Sequence, residues 1–301
     1  MREDWKRYWL LDPLRGWRDN LVFYGLRLFS PETCSAIGAW LGGRIAPRKM
    51  PVRSERARRN LKLLRPDLDD PAAIENILHR RWENMGRFMT EFPVIDQLCR
   101  QGPIRVEGRE RLDAAVVTGR PIIFIGLHIG NWELLAAQIL QIKETEPLGI
   151  YEPPPNRFQE RLLARARYGA RNPALPPDGS TTRRIYRHLV SGRGRSLLIF
   201  VDEMRDRQIA VPAFGRDLPE EGNLWTAVRL AWAAKALLLP VSMRRLEGTT
   251  FAFEIGDLVD IARESQGSAQ KMAAERVNEQ LENIVRSNVD QWLPLHDLKH
   301  P

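Results

Sequence analysis

The stretch FIGLHIGNWELLA, residues 124–136, decides the fold. Apolar residues run uninterrupted from Pro121 to Leu127, stop at His128, and resume at Trp132 with helical spacing. An apolar strand leading straight into a helix is the repeating unit of a sheet covered on both faces. The pattern recurs downstream. LGIYE (148–152), SLLIFVD (196–202), IAVPAF (209–214), ALLLPVS (236–242) and TFAFEI (250–255) read as strands. Helical patterns at 131–142, 157–168, 180–191 and 221–235 separate most of them, and a final helix is expected from about Ala269 to Val289. The expectation is an α/β fold with a central, mostly parallel or mixed sheet flanked by helices.

The first hundred residues read differently. Residues 1–46 are helical and amphipathic, with Trp5, Tyr8, Trp9, Trp17, Tyr24 and Trp40 set among arginines. Aromatic rings beside cations suit a lipid headgroup interface, and the same pattern suits a helical hairpin packed on the rest of the protein. From Arg44 to Arg65 nine basic residues face one acid, Glu55. Asp69, Asp70 and Pro71 then give the start signal of a long helix. Residues 1–100 are expected to form a helical, membrane-associating part, continuous with an α/β unit over 101–301.

With 46 basic and 38 acidic residues among 301, the net charge is +8, which favours an anionic partner. Cys34 and Cys99 are too few for a disulfide framework and lack metal-site spacing. No charge-free run approaches the roughly 18 residues of a membrane span, and the opening MREDWKRYWLLDPLRGW lacks a signal peptide's apolar core. The chain is therefore expected to lie on a membrane rather than cross it. No nucleic-acid module is recognisable, so a nucleic-acid partner is not expected.

In covered sheets, ligands gather beyond the carboxyl ends of the strands, where His128 falls. Asn131 reads as the cap of the following helix, which places Glu133 in its first turn. A carboxylate there can curl back to one imidazole nitrogen and leave the other basic, making His128 a general base. Gly130 is expected to keep the approach to His128 open, and Asn131 to polarise a substrate carbonyl beside Trp132. Arg157, Arg161 and Arg165 share one helix face, with Arg167 and Arg171 following, and guanidinium forks suit phosphate. There is no G-x-S-x-G elbow, and SGRGR (191–195) precedes a strand, so it is no dinucleotide fingerprint.

HIGNWE resembles the His-x4-acid motif of glycerolipid-type acyltransferases. Its Asn-Trp pair is similar to the branch of late (lauroyl/myristoyl) lipid A biosynthesis acyltransferases and phosphatidylinositol mannoside acyltransferases. RARRNLKLLRPDL, RRWENMGRFMTEF, IYEPPPNRFQERLLARARYG, LIFVDEMRDRQIAVPAFGR and VDQWLPLHDLKHP resemble further blocks of that family, spread over most of the chain. Departures are Ala213–Phe214 for the usual Phe-Phe, VDE where many members have Asp-Gln, VDQW for PEQW, and no conspicuous N-terminal membrane helix.

The resemblance implies His128 as base, Glu133 as its relay partner and Asp202 as a further catalytic carboxylate, with Glu203 the second candidate. It implies transfer of a fatty acyl group from acyl carrier protein or CoA, as co-substrate, to a hydroxyl of a lipid A precursor. Neither a metal nor another cofactor is expected. The expected location is the cytoplasmic face of the inner membrane, peripheral or monotopic, against anionic lipid. Acylation of a phosphoinositide mannoside or aminolipid, and a non-catalytic basic lipid-binding protein, are the competing readings.

Overall fold

The computed structural model describes residues 5–167, 174–176, 178–205, 208–261 and 268–298. Arg171, grouped with the substrate-side arginines, lies outside them.

The sheet runs β1 (Ile104–Glu107), β9 (Thr250–Ile255), β8 (Leu237–Glu247), β2 (Ile122–Gly130), β5 (Arg195–Phe200), β3 (Glu146–Ile150) and β4 (Ala174–Leu175), and the short β10 (Val259–Asp260) pairs with β8. All pairings are parallel except β8 with β9 and β10 with β8. A separate hairpin joins β6 (Met204–Arg205) to β7 (Gln208–Ile209). The mixed, mostly parallel α/β sheet expected from the sequence is the one found.

β2 is central and almost wholly buried, as its unbroken apolar run requires. Ile122 and Phe124 face one core, with Leu134, Leu135 and Ile139 of the Trp132–Leu140 helix. Ile123, Ile125, Leu127 and Ile129 face the other, with the helices Gly222–Ala234 and Ser268–Ser287. By that alternation His128 points to the side covered by the Trp132–Leu140 helix.

One expected strand is corrected. Of IAVPAF only Ile209 lies in a strand, and the rest is a buried loop. Its carbonyls are collected by a side chain instead of a ladder: Arg216 donates to Ala210, Pro212 and Ala213. Phe214, at φ 50°, turns the chain. Conversely, β1 was not legible, because its Ile-Arg-Val-Glu alternation is only four residues long.

Helices Asp12–Leu26, Pro31–Lys49, Pro51–Leu64 and Pro71–Glu91 precede the sheet. Asp70 caps the last of these, accepting from Ala72 N and Ala73 N at 2.9 and 3.3 Å. The Pro31–Lys49 and Pro71–Glu91 helices cross so closely that a Cβ on Gly86 would stand 2.0 Å from the Gly38 carbonyl oxygen. No helix among the described residues is long and apolar enough to cross a membrane.

Candidate active site

The β2–β5 pairing ends at Gly126 and Phe200, and β2 slips register against β8 between Gly126 and Gly130. The strand ends are thereby freed from the ladder, and Asp202, two residues beyond β5, bends across to His128. One carboxylate oxygen accepts from the His128 ring Nδ1 at 2.8 Å. The other accepts from the His128 backbone N–H at 2.9 Å and from Trp292 Nε1 at 3.0 Å. An antiparallel bridge between Ile129 and Trp292 brings the indole alongside β2. Asp202 and Trp292 are buried, whereas the His128 side chain keeps 29% of its surface exposed.

The imidazole is sandwiched by aromatic rings. Phe200 stacks on it with centroids 4.7 Å apart, and Trp132 meets it edge-on at 5.2 Å. Nε2 has no protein partner among the described residues, and His128 lines a cavity of about 740 Å³. Burial alone would depress the proton affinity of His128. The charge and hydrogen bond of Asp202, helped by Glu133, outweigh it and raise the pKa above the usual histidine value. A ring held at Nδ1 by a fixed carboxylate and open at Nε2 is a general base with a set tautomer.

Glu133 is not the partner of that ring, which corrects the relay expected from the five-residue spacing. The ring nitrogen that a carboxylate holds is Nδ1, its partner is Asp202, and Glu133 turns instead to Arg167. Arg167 donates through Nε at 2.8 Å and through Nη2 at 2.5 Å, a bidentate fork on a buried carboxylate. Both side chains line the cavity, and Nη1 of Arg167 has no protein partner among the described residues.

Asn131 caps the Trp132–Leu140 helix through Oδ1, accepting from Leu134 N at 3.1 Å, as expected. It is fully buried, however, and its Nδ2 is spent on Glu91 Oε2, which also receives the Arg245 guanidinium. A side chain consumed at both ends cannot polarise a substrate. The Gly130 reading is corrected as well. At φ 59°, its missing Cβ would lie 2.0 Å from the Met243 carbonyl oxygen, so glycine answers to strand β8 rather than to access. Trp132 and Glu203 do line the cavity. Glu203 accepts from Asn223 N at 2.7 Å, and burial pushes its carboxyl up. Of the adjacent acids, Asp202 makes the ring contact.

Arg157, Arg161 and Arg165 do not reach the cavity. Arg157 donates to the Tyr8 carbonyl and lies 3.8 Å above the Tyr8 ring, Arg161 leans on Phe158, and Arg165 bonds the Tyr24 hydroxyl. Arg157 and Arg165 tie the Arg157–Ala166 helix to the aromatic N-terminal segment, where a Cβ on Gly16 would strike the Phe158 ring. Trp292 stood in the sequence within the VDQW block, but nothing local linked it to His128.

Trp292→Phe separates positioning from packing. Losing a donor to a buried carboxylate costs about 1–3 kcal/mol, so kcat is expected to fall roughly tenfold. The less compensated Asp202 then holds the His128 proton more tightly, and the acid limb of the pH–rate profile moves to higher pH. A drop in stability with an unchanged profile would reduce Trp292 to filler.

A histidine base at the strand ends, with a paired guanidinium on the same cavity, is the equipment of an enzyme. The model of the bacterial lipid A biosynthesis acyltransferases matches residues 6–299, nearly the whole chain, and the protein belongs to that family. It is accordingly a lipid acyltransferase. Among solved structures the chain is similar to the 1-acyl-sn-glycerophosphate (LPA) acyltransferase PlsC from Thermotoga maritima, at 17% identity. That likeness covers 75% of this chain and 97% of the other, with a TM-score of 0.35. The comparison with curated proteins found no match.

Proposed function

We propose that the protein transfers a fatty acyl group from an acyl thioester, on acyl carrier protein or CoA, to a hydroxyl of a membrane glycolipid, a lipid A precursor first among the candidates. The observation that carries this reading is the His128–Asp202 pair opening onto a cavity that apolar side chains also line. Ala136, Ile139 and Leu140 share one face of the Trp132–Leu140 helix, and Leu148, Ile150 and Leu198 line the same cavity. That apolar lining suits an acyl chain with its thioester end towards His128.

His128 Nε2 takes the proton of the acceptor hydroxyl as the oxygen attacks the thioester carbonyl carbon. Asp202 stabilises the imidazolium that results, and the Arg167 guanidinium stabilises the oxyanion of the tetrahedral intermediate. The carbon–sulfur bond then breaks, and the proton passes from His128 to the departing thiolate. Phe200 and Trp132 limit water at the ring.

The acceptor is met at a membrane surface. Trp5, Trp9, Leu14, Trp17 and Leu21 stand about half or more exposed along the N-terminal helical segment, among arginines that favour anionic headgroups. The protein therefore sits peripherally on the cytoplasmic face of the inner membrane.

The test is turnover by purified protein of acyl carrier protein and CoA thioesters, with candidate glycolipids presented in anionic vesicles. Acyl transfer to a lipid A precursor, and flotation with the vesicles reversed by high salt or carbonate, are expected. Transfer to a mannosylated phosphoinositide or an aminolipid instead would reassign the acceptor. No transfer with any pair would leave a lipid-binding protein, and no flotation would remove the membrane reading.

A further inference from the structure

Arg81, Asn84, Phe88 and Glu91 of the Pro71–Glu91 helix follow the three- and four-residue spacing of a single helix face. That face lies against the segments carrying Trp292 and Trp132. Arg81 donates to the Leu293 carbonyl at 2.7 Å and Asn84 to the Asp290 carbonyl at 3.2 Å, on either side of Trp292. Phe88 stacks on Trp132 with ring centroids 3.5 Å apart. Glu91 accepts from Nδ2 of Asn131, the residue before Trp132, at 3.0 Å, and from Arg245 Nη2 at 2.7 Å.

Phe88, Trp132, His128 and Phe200 thus stand in file, with the imidazole between Trp132 and Phe200. The two covers of the imidazole are held by different means. Phe200 ends strand β5 opposite Gly126 of β2, and that glycine makes room for its ring: a Cβ there would stand 3.0 Å from it. Trp132 lies beyond the end of β2, so strand pairing does not fix it.

What supports Trp132 is the Pro71–Glu91 helix. Phe88 backs the indole, and Glu91 holds the capping residue beside it. Glu91, Asn131 and Arg245 are all buried. Withdrawing either partner of the Glu91–Arg245 pair would strand a buried charge, so the carboxylate stays where it grips Asn131. The seam along this helix face is close-packed. The void that Arg81, Phe88, Trp132 and Trp292 help to line measures about 10 Å³, room for about one water.

We propose that Phe88 and Glu91 are positioning residues that hold Trp132 over the imidazole, so that the acyl group passes to the acceptor hydroxyl and not to water. The proposal rests on the acyl-transfer reading. In the side reaction a water takes the acceptor's place. Its oxygen attacks the thioester carbonyl carbon as His128 takes its proton, the carbon–sulfur bond breaks, and the thiolate leaves with that proton. The products are a free fatty acid and a thiol. An indole fixed beside the ring leaves less room for that water.

The test measures free fatty acid released per acyl group transferred, in the full chain carrying Phe88→Leu or Asn131→Ser. Leucine keeps much of the bulk of Phe88 without its flat face. Serine keeps a cap for Leu134 N and leaves the Glu91–Arg245 pair intact, but removes the amide donor to Glu91. Glu91→Gln would instead leave Arg245 buried without its carboxylate. The ratio is expected to rise roughly tenfold in each variant, since a misplacement of about 1 Å costs the productive reaction up to about 10²-fold. A smaller folded fraction lowers hydrolysis and transfer alike. Leu78→Ala, a core truncation on the same helix, is therefore expected to lower the thermal midpoint and keep the wild-type ratio. A wild-type ratio in either variant, or an equal rise in Leu78→Ala, overturns the proposal.

The second readout needs no turnover. Diethyl pyrocarbonate acylates a neutral imidazole at an accessible nitrogen, and peptide mass spectrometry gives the rate at each histidine. With the cover loosened, the rate at His128 is expected to rise severalfold in both variants, while that at the exposed His79 stays constant. An unchanged rate at His128 overturns the brace. If wild type transfers to no acceptor, the acyl-transfer reading fails, and the modification rate alone still decides whether Phe88 and Glu91 hold Trp132 in place.

Discussion

His128→Ala is expected to lower acyl transfer by about 10³–10⁴-fold while leaving a folded protein. The loss is large because the acceptor's proton has no other base in place. Glu133 is occupied by Arg167, and Glu203 is held by Asn223 at the start of the Gly222–Ala234 helix. Folding survives because the ring is partly exposed and Asp202 keeps two donors, the backbone N–H of residue 128 and Trp292 Nε1. The measurement is single-turnover transfer alongside thermal unfolding. A variant that is as stable as wild type and keeps more than a tenth of its rate would remove His128 from the chemistry.

Asp202→Asn is expected to cost a similar factor, about 10³–10⁴, for a different reason. An asparagine that offers its amide N–H to Nδ1 forces the proton onto Nε2, the nitrogen that has to accept one. The pH dependence carries a second signature. The base works only when neutral, so the rate rises with pH through the pKa of His128, which stands above the usual histidine value. Removing the Asp202 charge leaves burial opposed only by the weaker pull of Glu133, and the acid limb moves to lower pH as the plateau falls. Glu133→Gln, which removes a weaker and more distant charge, moves the limb less. The reverse order, with Glu133→Gln shifting the limb more than Asp202→Asn, would restore the five-residue relay and overturn the assignment made from the geometry.

The contrast between those two acids shows what one strand and one helix reveal about a site. The apolar run, the histidine and the cap lie within eleven residues, 121–131, so β2, the Trp132–Leu140 helix and the position of His128 are all local properties of the chain. The partner of the imidazole is not local. Asp202 lies 74 residues downstream, and the two meet because β5 pairs with β2 and both strands end together. Sheet order is set by packing between distant segments, which periodicity does not encode. Glu133 was favoured because it was near in sequence. The first helical turn aims it away from the ring, towards an arginine 34 residues on. The arginine face of the Arg157–Ala166 helix was equally legible as a pattern and equally silent about its partner, which proved to be the aromatic N-terminal helix.

The three donors on Asp202 have a consequence for biosynthesis. Two come from residue 128 and the third from Trp292, 90 positions beyond the acid. A nascent chain that has released β2 and β5 but still holds residue 292 inside the ribosome has an incomplete proton path. Such a chain has Asp202 without its third donor, and the acid gains its full set of partners only after synthesis has passed the tryptophan.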